Sequence, residues 1–381
     1  MALGYCFAEA FLWHDNGSFV LWESANLNTR LQPFTHVENP ESKRRLHSLV
    51  HVSGLSNVLI AFPPRPATDE EILRVHSQRY LEHVLHPDTV DAGEAAPIGP
   101  GSESISRLAA GGVLAAVERV MTGELRGAYV LSRPPGHHAE PDQGRGFCIY
   151  SNVALGVAHA LARYNLTRIA VVDFDVHHGN GTEKAFYDDS RVLFMSVHQD
   201  GLYPPRPSGL ASCRGSDVAL DATINVPLPP GCGDAAYKCV FESIFLPALD
   251  KFAPQMIFVS AGYDACAFDP LGRMMLPSST YHWMGTQLQA MADKHCQGRV
   301  IAAHEGGYSA EYVPLCGHAF IRGLLTPQEQ AACEPTRDPF NDEILEYPGQ
   351  DAIPPSILQH HLFGVEKAEN GCTLHRTQQS D

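Results

Sequence analysis

The sequence predicts an α/β protein with a mostly parallel central sheet and helices on both faces. Short runs rich in Val, Ile and Ala alternate with longer segments whose apolar residues recur at helical spacing. Several of these runs, such as Ile169-Ala170-Val171-Val172, are apolar throughout, as expected of strands covered on both faces. Four runs end in polar, glycine-flanked clusters: at His137-His138, across residues 173–180, at Asp264 and at Tyr308. Open α/β sheets bind ligands at the carboxyl ends of their strands.

In chain order, residues 1–10 read as a first strand, followed by an irregular His- and Asn-rich segment up to Pro40. Glu41–Val52 follows the Asn39-Pro40 start signal and reads as an amphipathic helix. Thr68 with Asp69, Glu70 and Glu71 supplies an N-cap and acidic first turn for a helix through Val75, and a second helix begins near Ser77. Residues 86–101 form a loop. Ser102–Met121 carries Ile105, Leu108, Ala109, Val113, Ala116, Val117 and Val120 at helical spacing and predicts a long packed helix. Strands are expected over residues 129–132, 168–172, 192–198, 256–261 and 299–304, and helices over 151–164, 237–252 and 279–294. The Pro-, Gly- and Ser-rich segment 204–221 is a surface loop. There is no internal repeat, and residues 366–381 are polar and expected to fray.

A chain of 381 residues with 44% hydrophobic content can bury a large core, expected here as one domain over residues 1–381. Its formal net charge of -16, without any Lys/Arg block, argues against a nucleic-acid binder and suits cationic amine substrates. The 10 cysteines are scattered singly with no C-x-x-C pair, so reduced thiols fit better than a disulfide framework or a Cys-rich zinc site. The start lacks signal-peptide features and no apolar run reaches membrane-spanning length, which leads to the expectation of a soluble cytoplasmic protein.

Asp175 and His177 are two apart, so in an extended chain they face the same side. An oxygen and a nitrogen ligand there suit a borderline ion such as Zn²⁺. A lone Asp-x-His is better read as a satisfied polar strand end. Convergence of the four clusters on one rim of a parallel sheet moves the balance. A catalytic zinc site takes three protein ligands and an open position, and Asp175, His177 and Asp264 supply a candidate triad. Two carboxylates withdraw less charge from bound water than imidazoles do, so an external base helps. His137 and His138 can provide it, with Asp173 and Asn180 as orienting partners. A carboxylate raises the pKa of its histidine, whereas neutral Asn180 leaves its partner closer to a poised value. Tyr308, beside two glycines, can donate to an oxyanion. Together these groups describe metal-assisted amide hydrolysis.

The motifs Arg133-Pro-Pro-Gly-His-His-Ala139, Gly146-Phe147-Cys148, Asp173-Phe-Asp-Val-His-His-Gly-Asn-Gly181, Ser260-Ala-Gly-Tyr-Asp-Ala265, Asp269-Pro-Leu-Gly272 and Glu305-Gly-Gly-Tyr308 resemble those of zinc-dependent histone deacetylases. The variant is similar to the class II enzymes and to bacterial histone deacetylase-like amidohydrolases, over residues 40–322 or so. The resemblance implies the arginase/deacetylase fold, a single domain around a parallel sheet of about eight strands. It places zinc on Asp175, His177 and Asp264. It makes His137 and His138 the tandem histidines, the second being the general base and then acid, with Asp173 and Asn180 as partners. Asn at 180 is the class II form. Tyr308 falls on the transition-state tyrosine, and Gly146, Phe147 and Tyr203 on the acyl-lysine tunnel.

The resemblance further implies a structural K⁺ touching Asp173, Asp175, His177 and Ser196, mostly through main-chain oxygens, and a homo-oligomer, dimer or tetramer. Two departures concern the substrate. Leu271 stands where the polyamine-specialised relative has Glu, so polyamine preference is not expected. The Pro-stiffened loop 203–209 departs from the family's Pro-Gly-x-Gly run. The reading is therefore a deacylase of lysine-type amines, with an acylated amine as its partner and neither nucleic acid nor membrane. The alternatives are an amidase for acetylpolyamines or small-molecule amides, and a non-catalytic acyl-lysine binding module. A binuclear arginase-type hydrolase is disfavoured because Gly179 stands where that type needs a carboxylate.

Overall fold

The computed structural model describes residues 1–20, 23–24, 34–346 and 357. Its centre is an eight-stranded sheet of β1 (Leu3–Cys6), β2 (Ile60–Phe62), β3 (Gly127–Val130), β4 (Ile169–Asp173), β5 (Val192–Gln199), β6 (Thr223–Leu228), β7 (Met256–Ala261) and β8 (Val300–His304). The spatial order is β6-β5-β4-β7-β8-β3-β1-β2, and every pairing is parallel. The four strands expected to end in polar clusters, β4, β7, β8 and β3, are consecutive neighbours. Their register sets Asp173 opposite Ser260, Ala261 opposite His304 and Ala303 opposite Val130, so the four ends lie on one rim.

Side chains alternate across this sheet with period two. Ala170, Val172, Leu193, Met195, Ile257 and Val259 pack towards α1 (Glu41–Val52), α4 (the helical span 234–252), α5 (Ser278–Cys296) and α6 (Val313–Gly323). Ile169, Val171, Val192, Phe194, Met256 and Phe258 pack on the other face against α2 (Ser102–Met121) and α3 (Asn152–Tyr164). Both faces are dry, which accounts for strands that are apolar at consecutive positions.

Several boundaries differ from the sequence reading. β3 begins and ends two residues before the expected 129–132, and the first strand is only Leu3–Cys6, with a 3₁₀ turn at Glu9–Trp13. β2 and β6 were not recognisable as strands. β2 has three residues at a sheet edge, and β6 contains Asn225 and Pro227, tolerated because an edge strand leaves one row of backbone groups unpaired. The helix after Thr68 is only Asp69–Ile72, closed by a capping box between Thr68 and Glu71. The helix expected at 237–252 starts at Asp234 and widens to a π turn over Phe241–Phe245, just before Pro247, whose nitrogen has no hydrogen to give the preceding turn.

The segment before Pro40 is not wholly irregular: Ser18–Val20 pairs antiparallel with Glu23–Ser24 and with Phe34–Thr35. Within the 86–101 loop, Gly93–Glu94 pairs with Gly144–Arg145. Among the described residues no disulfide forms and no helix is long and apolar enough to cross a membrane. The polar tail at 366–381 lies outside the described residues.

Candidate active site

Beyond β4 the chain stays buried through residues 174–178, turning Asp175 and His177 to the rim where Asp264 arrives from β7. His177 Nδ1 lies 3.0 Å from Asp175 Oδ1 and 3.0 Å from Asp264 Oδ2, and one donor atom from each residue falls within 4.8 Å of the others. Backbone amides aim the carboxylates: Gly306 N–H donates to Asp175 Oδ2 at 2.8 Å and Val176 N–H to Asp264 Oδ1 at 2.8 Å. A Cβ on Gly306 would stand 2.3 Å from Asp264 Oδ2 and 2.6 Å from Asp175 Oδ2, so only glycine lets the backbone come this close.

Two carboxylates this close and fully buried call for a cation. Burial and then the charge of Asp175 push the Asp264 carboxyl up to about 7. Against the effect of burial, Asp264 and Asp175 raise the His177 ring to about 10. Three convergent donors, two oxygens and one nitrogen, fit a zinc ion in number and type.

The tandem histidines occupy the adjoining wall, their rings 4.0 Å apart. His137 Nδ1 meets Asp173 Oδ2 at 3.1 Å and His138 Nδ1 meets Asn180 Oδ1 at 2.7 Å. Their environments push them apart. Burial lowers the His137 pKa, but Asp175 and Asp173 outweigh it and lift the ring to about 10. Burial, then the neighbouring His137 and His177, drives His138 well below the ordinary histidine value. One imidazole is thus held charged and the other neutral, which suits an electrostatic partner beside a proton acceptor.

Tyr308 follows β8 and Gly307. Its phenol is pushed well above the usual value by burial and then by Asp264 and Asp175, so it stays a proton donor. Its ring is edge-on to Phe147 at 5.9 Å, and Tyr203 is edge-on to His138 at 4.9 Å. With Ala95, Gly146, His177 and Leu271 these side chains enclose a narrow cavity of about 30 Å³. Ser196 lies beside Asp173 in the β4–β5 register, and its hydroxyl bonds His198 Nδ1 at 2.9 Å.

Three carboxylates that sequence reasoning did not select hold this arrangement. Glu305 Oε2 accepts from the Gly136 and His137 amides at 2.6 and 3.1 Å, tying the tandem-histidine turn to the end of β8. Asp269 Oδ2 accepts from the Tyr308 and Ser309 amides at 2.7 and 3.2 Å, and its Oδ1 from Leu271 N–H at 2.9 Å. Glu140 Oε1 accepts from Asn180 Nδ2 at 2.8 Å. Glu305 and Asp269 stood inside quoted motifs, and Glu140 follows Ala139 directly. The available signal was a carboxylate next to each cluster.

A parallel α/β sheet carries on its carboxyl rim a zinc-type donor set beside two paired histidines, an arrangement suited to a hydrolase. The histone deacetylase domain matches residues 36–324, and the chain belongs to the histone deacetylase family. It is 45% identical over 346 residues, 89% of each chain, to a histone deacetylase-like amidohydrolase of Pseudomonas aeruginosa. It is 36% identical over 377 residues to a probable deacetylase of Archaeoglobus fulgidus, covering 97% of this chain and 98% of that one. Histone deacetylase 8 of Arabidopsis thaliana is 35% identical over 327 residues, covering 83% of this chain and 84% of that one. The crystal structure of the HDA15 HD domain superposes with a TM-score of 0.75 at 29% identity, covering 86% of this chain and 94% of that one. The protein is therefore a hydrolase of the deacetylase/amidohydrolase type, and its family implies a zinc site and an acylated substrate.

Proposed function

We propose that this protein is a zinc-dependent amidohydrolase that removes acetyl or related acyl groups from lysine-type amines. The supporting observation is the convergence of Asp175, His177 and Asp264 beside a narrow slot walled by Phe147, Tyr203, Leu271 and Tyr308. A slot this thin, walled by Phe147, Tyr203 and Tyr308, suits an unbranched alkyl chain ending in a flat amide. Its neutral Leu271 favours acyl-lysine chains over cationic acetylpolyamines.

Asp175, His177 and Asp264 would hold the zinc ion, which would supply Lewis acidity for amide hydrolysis. His138, neutral and oriented through its Nδ1, takes the water proton at Nε2 and returns it to the departing amine. His137, kept charged against Asp173, stabilises the negative charge that develops beside it. The Tyr308 hydroxyl, kept protonated by burial and by Asp264 and Asp175, donates to the oxygen on which that charge develops.

From the resemblance we carry into this proposal a K⁺ at Asp173, Asp175, His177 and Ser196, a single domain over residues 1–381, a homo-oligomer and a cytoplasmic location. The β4–β5 register that sets Ser196 beside Asp173 supports the K⁺. The functional test compares kcat/KM for acetyl-lysine peptides, acetylspermidine and small aryl amides on the zinc-loaded protein. Preference for acetyl-lysine is expected. Preference for acetylspermidine would overturn the substrate assignment, and binding without turnover would overturn the enzyme.

A further inference from the structure

Asn180 can serve His138 in two opposite ways. Its amide presents an oxygen or, flipped, an NH₂ group, and the two require different forms of the imidazole. With oxygen towards His138 Nδ1, that nitrogen carries the hydrogen and Nε2 is left with its lone pair for the substrate. With NH₂ towards it, Nδ1 must be the acceptor, the hydrogen moves to Nε2 and the ring is useless as a base there. Nothing in Asn180 itself chooses between these.

The choice is made on the far side of the amide. Asn180 Nδ2 is 2.8 Å from Glu140 Oε1 and 3.4 Å from the His138 carbonyl oxygen, so the carboxylate is much the shorter contact, and an ionised carboxylate accepts hydrogen bonds but cannot donate them. Glu140 is 8% exposed. Its Oε1 also accepts from Arg145 Nη1 at 3.0 Å, and its Oε2 from Lys184 Nζ at 2.9 Å. Burial raises its pKa, but the hydrogen bonds from Lys184, Arg145 and Asn180 outweigh that and hold it below the ordinary value, so it is ionised at neutral pH. Asn180 must therefore turn its NH₂ to Glu140 and its oxygen to His138, which is the observed 2.7 Å contact.

We propose that Glu140 is a positioning residue of the reaction: acting as an obligate acceptor, it sets the orientation of the Asn180 amide and through it the hydrogen-bearing nitrogen of His138. The proposal rests on the assignment of His138 as the base, but the ring's form is measurable without turnover. The long contact to the His138 carbonyl favours the same orientation only weakly, so Glu140 carries most of the choice and the pair 140–180 works as a unit.

The test uses the zinc-loaded full chain labelled with ¹⁵N-histidine, the His138 signals being those lost in His138→Ala. The wild type is expected to show His138 as the single Nδ1–H form, and the Nε2–H form in its place would overturn the proposal even if the enzyme is active. Glu140→Ala is expected to keep its zinc, show both forms of His138 and lose roughly 10- to 100-fold in kcat, the usual cost of removing an orienting partner. Glu140→Gln keeps an acceptor oxygen where Arg145 and Asn180 converge and presents its NH₂ to the half-exposed Lys184, so it is expected to rescue most of that loss. In an Asn180→Asp background, where either side-chain oxygen can accept from His138, replacing Glu140 by Ala is expected to cost little further. A zinc-loaded Glu140→Ala enzyme with unchanged kcat, or an equal loss in both backgrounds, would overturn the proposal. A wild type that shows the Nδ1–H form yet hydrolyses no acyl amine would sink the functional assignment and leave the role of Glu140 standing.

Discussion

Gly146→Ala probes the slot most sharply. Gly146 has φ +50°, and a Cβ there would lie 2.5 Å from His138 Cδ2 and 2.8 Å from Tyr203 Cε1. Ordinary carbon contacts begin at about 3.5 Å, so roughly 1 Å must open between residue 146 and the His138 ring. The backbone cannot give easily, because Gly146 N–H is bonded to Glu94 O at 3.0 Å and Phe147 N–H to Ala95 O at 2.7 Å. The ring itself must move. A base misplaced by about 1 Å costs on the order of 100-fold in rate, whereas an alanine in the left-handed region costs only about 1–2 kcal/mol of stability. The three atoms nearest the new methyl group belong to His138 and Tyr203 and not to a metal ligand. The assay is kcat on an acetyl-lysine peptide beside zinc content and a denaturant melt. Expected are a fall of about 100-fold in kcat, unchanged zinc and a small loss of stability. A zinc-loaded Gly146→Ala enzyme at the wild-type kcat would refute the placement of His138 against this wall.

Two further outcomes are expected. Tyr308→Phe removes one hydrogen-bond donor and no metal ligand, so zinc should stay bound while kcat falls by about 100- to 1000-fold; near-normal turnover would remove Tyr308 from the oxyanion role. His76 is fully buried and held neutral, with burial lowering its pKa to about 4, while Nδ1 donates to Glu140 O and Nε2 accepts from Ser151 N–H. Its folded value lies below its unfolded value near 6.5. The stability it supports is therefore complete above pH 6.5 and is lost as pH falls towards 4, by on the order of 3 kcal/mol. Urea melts across that window should show a shallower decline for His76→Gln than for the wild type. Equal declines would exclude His76 as a source of the acid sensitivity.

The parts of the fold legible from sequence were those where one physical cause dominates. Strands β4, β5, β7 and β8 are apolar along their length because helices cover both faces, and the polar groups that interrupt them mark the rim. The edge strands escaped because their residues obey a weaker demand: Pro227 and Asn225 are admissible where one side of the ladder is unpaired. At the site, Asp175, His177 and Asp264 could be chosen because zinc imposes a donor type on each position. The supporting carboxylates could not, since their partners are far along the chain: Glu140 serves Asn180 40 residues on, and Glu305 serves the turn at His137 from 168 residues away. Only the strand order β4-β7-β8-β3 brings those pairs together.

Metal content tests the three-donor site most directly. Wild-type protein purified and dialysed with zinc should carry one ion per chain by elemental analysis, and Asp264→Ala, with one of the two buried carboxylates gone, should carry little or none and hydrolyse no acetyl-lysine. An Asp264→Ala chain that still holds a full equivalent of zinc would contradict the assignment of Asp175, His177 and Asp264 as its ligands.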